Sequence, residues 1–290
     1  MFVCPRTRGP LRDWRSAQAG ITYALIEGIP VLVDEPRSYF IQHRKALAGQ
    51  PDIRLTEAPD PITPHLPPQL LGAPGGLGQW FTSLGDSGPD AVCAGFAERH
   101  APPGFALDVG CGMAPMARRM VGAGRTTYAF DRSADAVLLA KATLCGGAPA
   151  MSIPTHKVGL KKVKVPFTPI ASGLNFAMAD AVHPPFARGS FPWVHLGDVL
   201  DSAGDQEGDV LVASSDLVSP NGLLTISTAF NGRGTPKETK PPPEEELIEV
   251  LDTLGFAPVE QVERVPHVVR DYDRAFRVRF LYCVAARRKP

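Results

Sequence analysis

The sequence predicts an α/β protein, a mostly parallel sheet flanked by helices with a small β-rich module ahead of it. Three observations carry that prediction. From residue 105 onward, short apolar runs alternate with stretches of helical spacing, the pattern of strand–helix–strand units that lay parallel strands side by side. The first of those runs feeds into Gly110-x-Gly112 and a helix start, a turn in which bare backbone comes close to a ligand. Ahead of both, residues 51–78 (PDIRLTEAPDPITPHLPPQLLGAPGGLG) are so rich in proline and glycine that neither a long helix nor a central strand can cross them. The chain accordingly divides into a small module over 1–50, a linker over 51–78 and a main domain over 79–290.

Within the module, residues 21–33 (ITYALIEGIPVLV) hold two β-rich runs around Glu27-Gly28 and predict a hairpin, with a short helix over 39–47. After the linker, residues 80–99 predict one or two helices. Residues 105–109 read as a strand and 115–121 as a helix. Residues 126–130 are the next strand, ending at Asp131, and 134–144 (ADAVLLAKATL) place apolar residues at helical spacing. Residues 151–172 interrupt this rhythm with a basic, proline-flanked insertion bearing Lys157, Lys161, Lys162 and Lys164, readable as a hairpin with one exposed face or as a lid. Strands follow at 174–179, 193–196 and 223–227, the last preceded by the turn Pro220-Asn221-Gly222. Residues 244–254 form an amphipathic helix, and 259–265 with 277–285 a closing antiparallel pair.

Composition narrows the function. Of 290 residues, 44% are hydrophobic, and 30 Lys+Arg balance 30 Asp+Glu. A neutral chain lacks the overall attraction that non-specific nucleic-acid or anionic-membrane binders use, which points away from nucleic acid as partner without ruling out a local basic patch. The five cysteines are odd in number, scattered and without C-x-x-C, so neither a disulfide framework nor a thiolate zinc site is expected, and the cytoplasm is the natural compartment. No run approaches the ~18 apolar residues of a membrane helix.

The chemistry is concentrated in ALDVGCGMAP, residues 106–115. A dinucleotide fingerprint would need Gly or Ala where Pro115 stands, and rarely has an acid at the place of Asp108. A nicotinamide-dependent oxidoreductase is therefore the weaker reading. Asp131, about 20 residues on, stands where a carboxylate can accept hydrogen bonds from both ribose hydroxyls. Asp180 follows the next strand in AMADAVHPPF. As single residues, Asp131 and Asp180 are equally readable as helix caps, Asp108 as a solvated strand-end acid, and Cys111 as a small apolar filler.

Taken together, Asp108-x-Gly110-x-Gly112-x-Ala114, Asp131, Asp180, PPFARGSFPWV and VSPNGLLTIST resemble, in order and spacing over roughly residues 104–228, the class I S-adenosylmethionine-dependent methyltransferases. Alanine replaces the third glycine of their first motif. The resemblance implies a Rossmann-like, seven-stranded sheet, mostly parallel with the last strand antiparallel. It implies S-adenosylmethionine as cofactor, held by Asp108, Gly110, Cys111, Gly112, Asp131, Arg132, Asp180, Ala181 and Gly197. In such a family an acid at Asp131 meets the ribose, one at Asp180 the adenine amino group, and Asp108 lies near the methionine amino group. The N-terminal residues Cys4-Pro5, Gly9, Leu11 and Gly28-Ile29-Pro30-Val31-Leu32 resemble the zinc-ribbon-like activator subunit of tRNA and protein methyltransferases. Thr7 stands at the second cysteine of its pattern, and one thiolate cannot supply four tetrahedral ligands, so no metal is expected.

On the acceptor side, Asp198 directly after the fourth strand, His183 in DAVHPPF and His267 in RVPHVVRDYD are candidate bases, each also readable as a structural residue. Arg270 and Tyr272 are candidate substrate contacts. The expected activity is methyl transfer to an N or O acceptor, with a small molecule favoured as partner. The competing class is a degenerate cofactor-binding or interaction module that transfers nothing.

Overall fold

In the computed structural model, the described residues are 1–48, 88–146, 150–154, 160–164, 169–230, 243–272 and 275–290; side chains are described for these except at 150–154, 160–164, 268–272 and 275–277. The expected linker over 51–78 lies outside them, as do residues 80–87 and Lys157. The strands are β1 Arg15–Ser16, β2 Ile21–Thr22, β3 Leu25–Ile26, β4 Ile29–Leu32, β5 Ala106–Val109, β6 Thr127–Asp131, β7 Ala150–Pro154, β8 Leu160–Lys164, β9 Leu174–Ala179, β10 Phe191–Gly197, β11 Val218–Thr228, β12 Phe256–Tyr272 and β13 Ala275–Arg288. The helices are α1 Pro36–Gln42, α2 Arg44–Leu47, α3 Pro89–His100, α4 Pro115–Gly122, α5 Ala134–Gly146, α6 Val199–Ala203, α7 Glu207–Ser215 and α8 Pro243–Thr253.

One nine-stranded sheet organises the chain, in the order β12-β13-β11-β10-β5-β6-β9-β4-β3. From β11 through β4 neighbouring strands are parallel, and β13 runs antiparallel to both β11 and β12. The seven strands from β12 to β9 form the Rossmann-like arrangement. The two extra strands are the N-terminal hairpin: β4 pairs with β9, Val31 opposite Met178, and β3 continues the edge. The hairpin adds here because Ile29, Val31 and Val33 join the same apolar cluster as Ala129, Phe176 and Met178. Cys4 is buried against Tyr23, its Sγ 3.1 Å from the phenol oxygen.

Alternation along the central strands sorts their side chains onto two faces. Leu107, Val109, Val194 and Leu196 enter one core with Phe186, Leu217 and Phe256. Ala106 and Trp193 enter the other, beneath Cys93, Phe96 and Ala97 of α3. Asp108 and His195 point to that second face as registered neighbours, and both are buried. On α5, Ala134, Val137, Ala140 and Leu144 recur at helical spacing and pack on the β6–β9 side, as the pattern predicted.

Two boundaries differ from expectation. The closing strands are longer than 259–265 and 277–285, and β12 accommodates Pro258 and Pro266 because it is the sheet's edge, where a missing amide breaks no further ladder. The expected turn at Pro220-Asn221-Gly222 lies inside β11 as an exposed irregularity, with Asn221 at φ 60°. The basic insertion forms the antiparallel hairpin β7–β8, with Lys161, Lys162 and Lys164 on its second strand.

Candidate functional site

The C-terminal ends of the parallel strands, with the N-terminal half of β13 and the C-terminal half of β12, open into one cleft of about 750 Å³. One wall of it is the turn after β5. Gly110 and Gly112 have φ of 64° and 51°, and a Cβ on Gly110 would lie 2.5 Å from Val199 Cγ2, so only glycine lets the turn approach α6 this closely. Cys111 N–H donates to Phe130 O at 2.9 Å, tying the turn to β6. Below it, Asp108 is 3% exposed and its Oδ2 accepts from Ala117 N at 3.0 Å, satisfying one of the free amides at the start of α4. Burial, reinforced by Asp90, pushes the Asp108 carboxyl well above its ordinary range.

Asp131 closes β6 and faces the same turn. Its Oδ2 accepts from Gly112 N at 2.8 Å and its Oδ1 from Ser133 N at 2.7 Å. Ser133 Oγ, rather than Asp131, receives Ala136 N at 3.2 Å and caps α5. The Arg132 amide adds a third backbone contact to this carboxylate, which lines the cleft with the acceptor capacity its two oxygens retain. Burial raises the Asp131 carboxyl while the amides oppose the rise. Beyond β9, Asp180 Oδ1 accepts from Val182 N at 3.0 Å, and Arg132 Nε stands 3.6 Å from its Oδ2.

The other end of the cleft is polar in a different way. Asp198 has a left-handed φ of 55° at the start of α6 and makes no capping bond with its side chain. Its carboxylate instead receives the Arg279 guanidinium, Nη1 at 3.4 Å from Oδ1 and Nη2 on Oδ2. Arg279 Nη2 also stands 3.4 Å from His267 Nδ1. Burial lifts the Asp198 carboxyl to about 6 against the pull of Arg279, and burial with Arg279 lowers His267 to about 4. Between the two ends, His195 Nδ1 pairs with Thr225 Oγ1 at 3.0 Å, while its buried Nε2 has no hydrogen-bond partner and lies 3.9 Å from Asp90 Oδ1. Burial lowers His195 to about 3, and burial raises Asp90 to about 6 against the pull of Arg119. Gly197 makes room for that ring, since a Cβ there would lie 2.7 Å from Nε2.

The cleft brings together Asp108, Gly110, Cys111, Gly112, Asp131, Arg132, Asp180, Ala181, Gly197, Asp198 and His267. It does not include His183, which is exposed on the turn after β9; its amide bonds back to Asp180 O, and Ala181 and Val182 make the wall in its place. The side chains of Arg270 and Tyr272 lie outside the described residues. Sequence reasoning missed Arg279, His195 and Asp90. A histidine flanked by Val194 and Leu196 inside a buried strand was a readable signal, because such a ring needs a polar partner. Arg279 is one charge among several near the last strand, and Asp90 stands in the first turn of α3, where an acid is favourable whether or not it serves a site. Among the described residues no group of three or more His, Cys, Asp or Glu could hold a metal ion, and no described helix is long and apolar enough to cross a membrane.

A raised folded-state carboxyl favours the folded state at low pH, where the fold keeps a proton that the unfolded chain has lost. For Asp198 that contribution is full below about pH 4 and disappears as pH rises through about 6. At roughly 1.4 kcal/mol per unit, discounted for a partly open side chain, wild type should lose about 2 kcal/mol relative to Asp198→Asn between pH 4 and 7. Urea unfolding of both proteins across that range checks it; a pH-independent difference contradicts it.

No family model matches the sequence, and no curated protein matches it. Solved structures do. A S-adenosylmethionine-dependent methyltransferase from Methanosarcina mazei is 14% identical over 67% of this chain and 97% of its own, with a TM-score of 0.48. The [4+2]-cyclase SpnF is 16% identical over 69% of this chain and 81% of its own, TM-score 0.47. Magnesium protoporphyrin IX methyltransferase from Synechocystis PCC 6803, with S-adenosylmethionine bound, is 18% identical over 69% of this chain and 77% of its own, TM-score 0.43. At such identities the cleft's function has to come from its own residues.

Proposed function

We propose that the chain is an S-adenosylmethionine-dependent methyltransferase acting on an N or O acceptor of a small molecule. The observation that carries this reading is Asp131, a strand-end carboxylate that lines the cleft with its two oxygens held by the amides of Gly112 and Ser133 and the Arg132 amide beside them. Two vicinal hydroxyls of a ribose fit that pair. The glycine turn supports the reading because a Cβ on Gly110 would already collide with Val199, so the backbone there is held bare beside the cleft. The cleft's volume suits a nucleoside-sized ligand with room for a small acceptor.

On this reading Asp180 and the Ala181 backbone meet the adenine edge, and Arg132, ion-paired with Asp180, borders it. Gly110, Cys111 and Gly112 carry the ligand's tail, Asp108 and Gly197 flank the tail's polar head, and α3 closes over it with Asp90. When bound, the cofactor supplies an activated methyl group. The chain's part is alignment, exclusion of water and proton handling. At the acceptor end of the cleft Asp198 is the group placed to take a proton from an acceptor, whereas His267 beside it turns its Nδ1 to Arg279 and His183 lies outside the cleft.

Calorimetric titration with S-adenosylhomocysteine tests the reading. Binding is expected, and at a hundredfold excess over Kd the ligand should stabilise the fold by about 2.7 kcal/mol, seen as a higher melting temperature that NAD does not produce. A folded chain that binds no S-adenosylhomocysteine would leave an interaction module in its place.

A further inference from the structure

The cleft is longer than its proposed cofactor. Six strand spacings separate Asp180, after β9, from His267 on β12, and at about 4.8 Å each the edge between them extends roughly 29 Å. An adenosine with an amino-acid tail covers the part from β9 to β5 and β10. What remains is walled by Asp198, Ser227, His267, Arg279 and Leu281. We propose that this end takes a small molecule bearing a weakly acidic hydroxyl, a phenol or an enol, and that its oxygen receives the methyl group, with Asp198 as the catalytic base and Arg279 as the residue that positions Asp198 and faces the acceptor oxygen. The proposal rests on the methyltransferase reading above.

Hydrogen-bond polarity carries the argument. A guanidinium can only donate, so its 3.4 Å contact makes His267 Nδ1 the acceptor and leaves the neutral ring's proton on Nε2. Arg279 spends both Nη2 hydrogens and one Nη1 hydrogen on His267 and Asp198. Its Nε–H and remaining Nη1–H have no protein partner among the described residues. This wall thus offers unspent N–H groups and one carboxylate. That set matches an oxygen that gives its proton to the carboxylate and presents lone pairs to the donors. It mismatches a protonated amine, which brings more donors and a second positive charge beside the only cation described as lining this end. Asp198 is built for the role: its left-handed backbone turns the carboxylate away from capping α6 and toward the guanidinium, with its own amide held by Ser227 O at 2.8 Å. Burial, together with Asp201 hydrogen-bonded to Asp198, raises its carboxyl against Arg279, and at about 6 it is mostly ionised at neutral pH and basic enough to accept the proton.

The step balances. The acceptor oxygen bonds to the methyl carbon while the sulfur–carbon bond breaks with its electron pair staying on sulfur, and the hydroxyl proton passes to Asp198, later leaving to water. The positive sulfonium and negative carboxylate charges disappear together.

The test uses the full chain with S-adenosylmethionine and paired acceptors of similar size, one a phenol and the other an amine that is protonated at neutral pH: phenol and benzylamine, 4-methylphenol and 4-methylbenzylamine, 2-naphthol and 2-(aminomethyl)naphthalene. Products are read by mass spectrometry, with S-adenosylhomocysteine affinity measured alongside. O-methyl products alone are expected, with Asp198→Asn slower by about a hundredfold. Arg279→Met should move the acid limb of the kcat/KM profile up by about one pH unit or more, with Arg279→Lys restoring part of the shift and S-adenosylhomocysteine affinity unchanged in both. N-methyl products alone, or no product from a chain that binds S-adenosylhomocysteine, overturns the acceptor class. An unmoved acid limb in Arg279→Met overturns the positioning role. Failure of wild type to bind S-adenosylhomocysteine strikes the methyltransferase reading instead.

Discussion

Asp131→Ala should weaken S-adenosylhomocysteine binding by about 10²- to 10⁴-fold while leaving the chain folded. The proposed ribose contact consists of two hydrogen bonds to an ionised carboxylate, each worth about 1.5–3 kcal/mol, and at 1.4 kcal/mol per decade their sum gives that range. Burial of the carboxylate opposes its ionisation in the free protein, so its removal relieves a desolvation cost even as Gly112 N and Ser133 N lose their acceptor. Asp131→Asn separates the two functions. One amide oxygen can still accept from Gly112 or Ser133, but the side chain can no longer accept from both hydroxyls, so the loss should be intermediate. Titration calorimetry of the three proteins reads the affinities, and urea unfolding reads the fold. Equal affinity in wild type and Asp131→Ala would remove Asp131 from the ligand and with it the main support for a ribose at this position.

Much of the sheet was legible in the sequence because parallel strands buried on both faces are written as short apolar runs, and residues 105–109, 126–130, 174–179 and 193–196 sit almost where β5, β6, β9 and β10 lie. The glycine turn and the strand-end acids were legible for the same local reason: backbone conformation and the end of a strand are properties of neighbouring residues. Two things were not. The sheet's nine strands could not be counted because Val31 opposite Met178 is a pairing across about 147 residues, and nothing in either segment names the other. Arg279 could not be joined to Asp198 because a bidentate ion pair between the end of one strand and the middle of another depends on the register of β13 against β11. His183 illustrates the converse. It directly follows the lining residue Val182, yet a turn sends it outward, and sequence proximity to Asp180 gave no measure of direction.

Gly110→Ala should be the most damaging single-methyl change in the cleft, lowering stability by about 2–5 kcal/mol and S-adenosylhomocysteine affinity with it. Two costs combine. A φ of 64° is strained for alanine by about 1–2 kcal/mol. The new Cβ would also stand 2.5 Å from Val199 Cγ2 and 3.0 Å from Val199 Cβ, an overlap that a β-branched side chain with one preferred rotamer cannot relieve by turning away, adding about 1–3 kcal/mol. Any relaxation must move either the turn or the start of α6. Moving the turn pulls Gly112 N from Asp131; moving α6 disturbs Asp198, one residue before Val199. The second substitution that distinguishes the two costs is Val199→Ala. In the double variant the 2.5 Å overlap with Cγ2 disappears while the 3.0 Å contact with Cβ and the backbone strain persist, so about 1 kcal/mol or more of the lost stability should return in a double-mutant cycle. Recovery of affinity along with stability would locate the coupling in the packing between the glycine turn and α6. A Gly110→Ala protein as stable as wild type would mean the turn tolerates a side chain, and the close approach would then contribute nothing to holding the ligand.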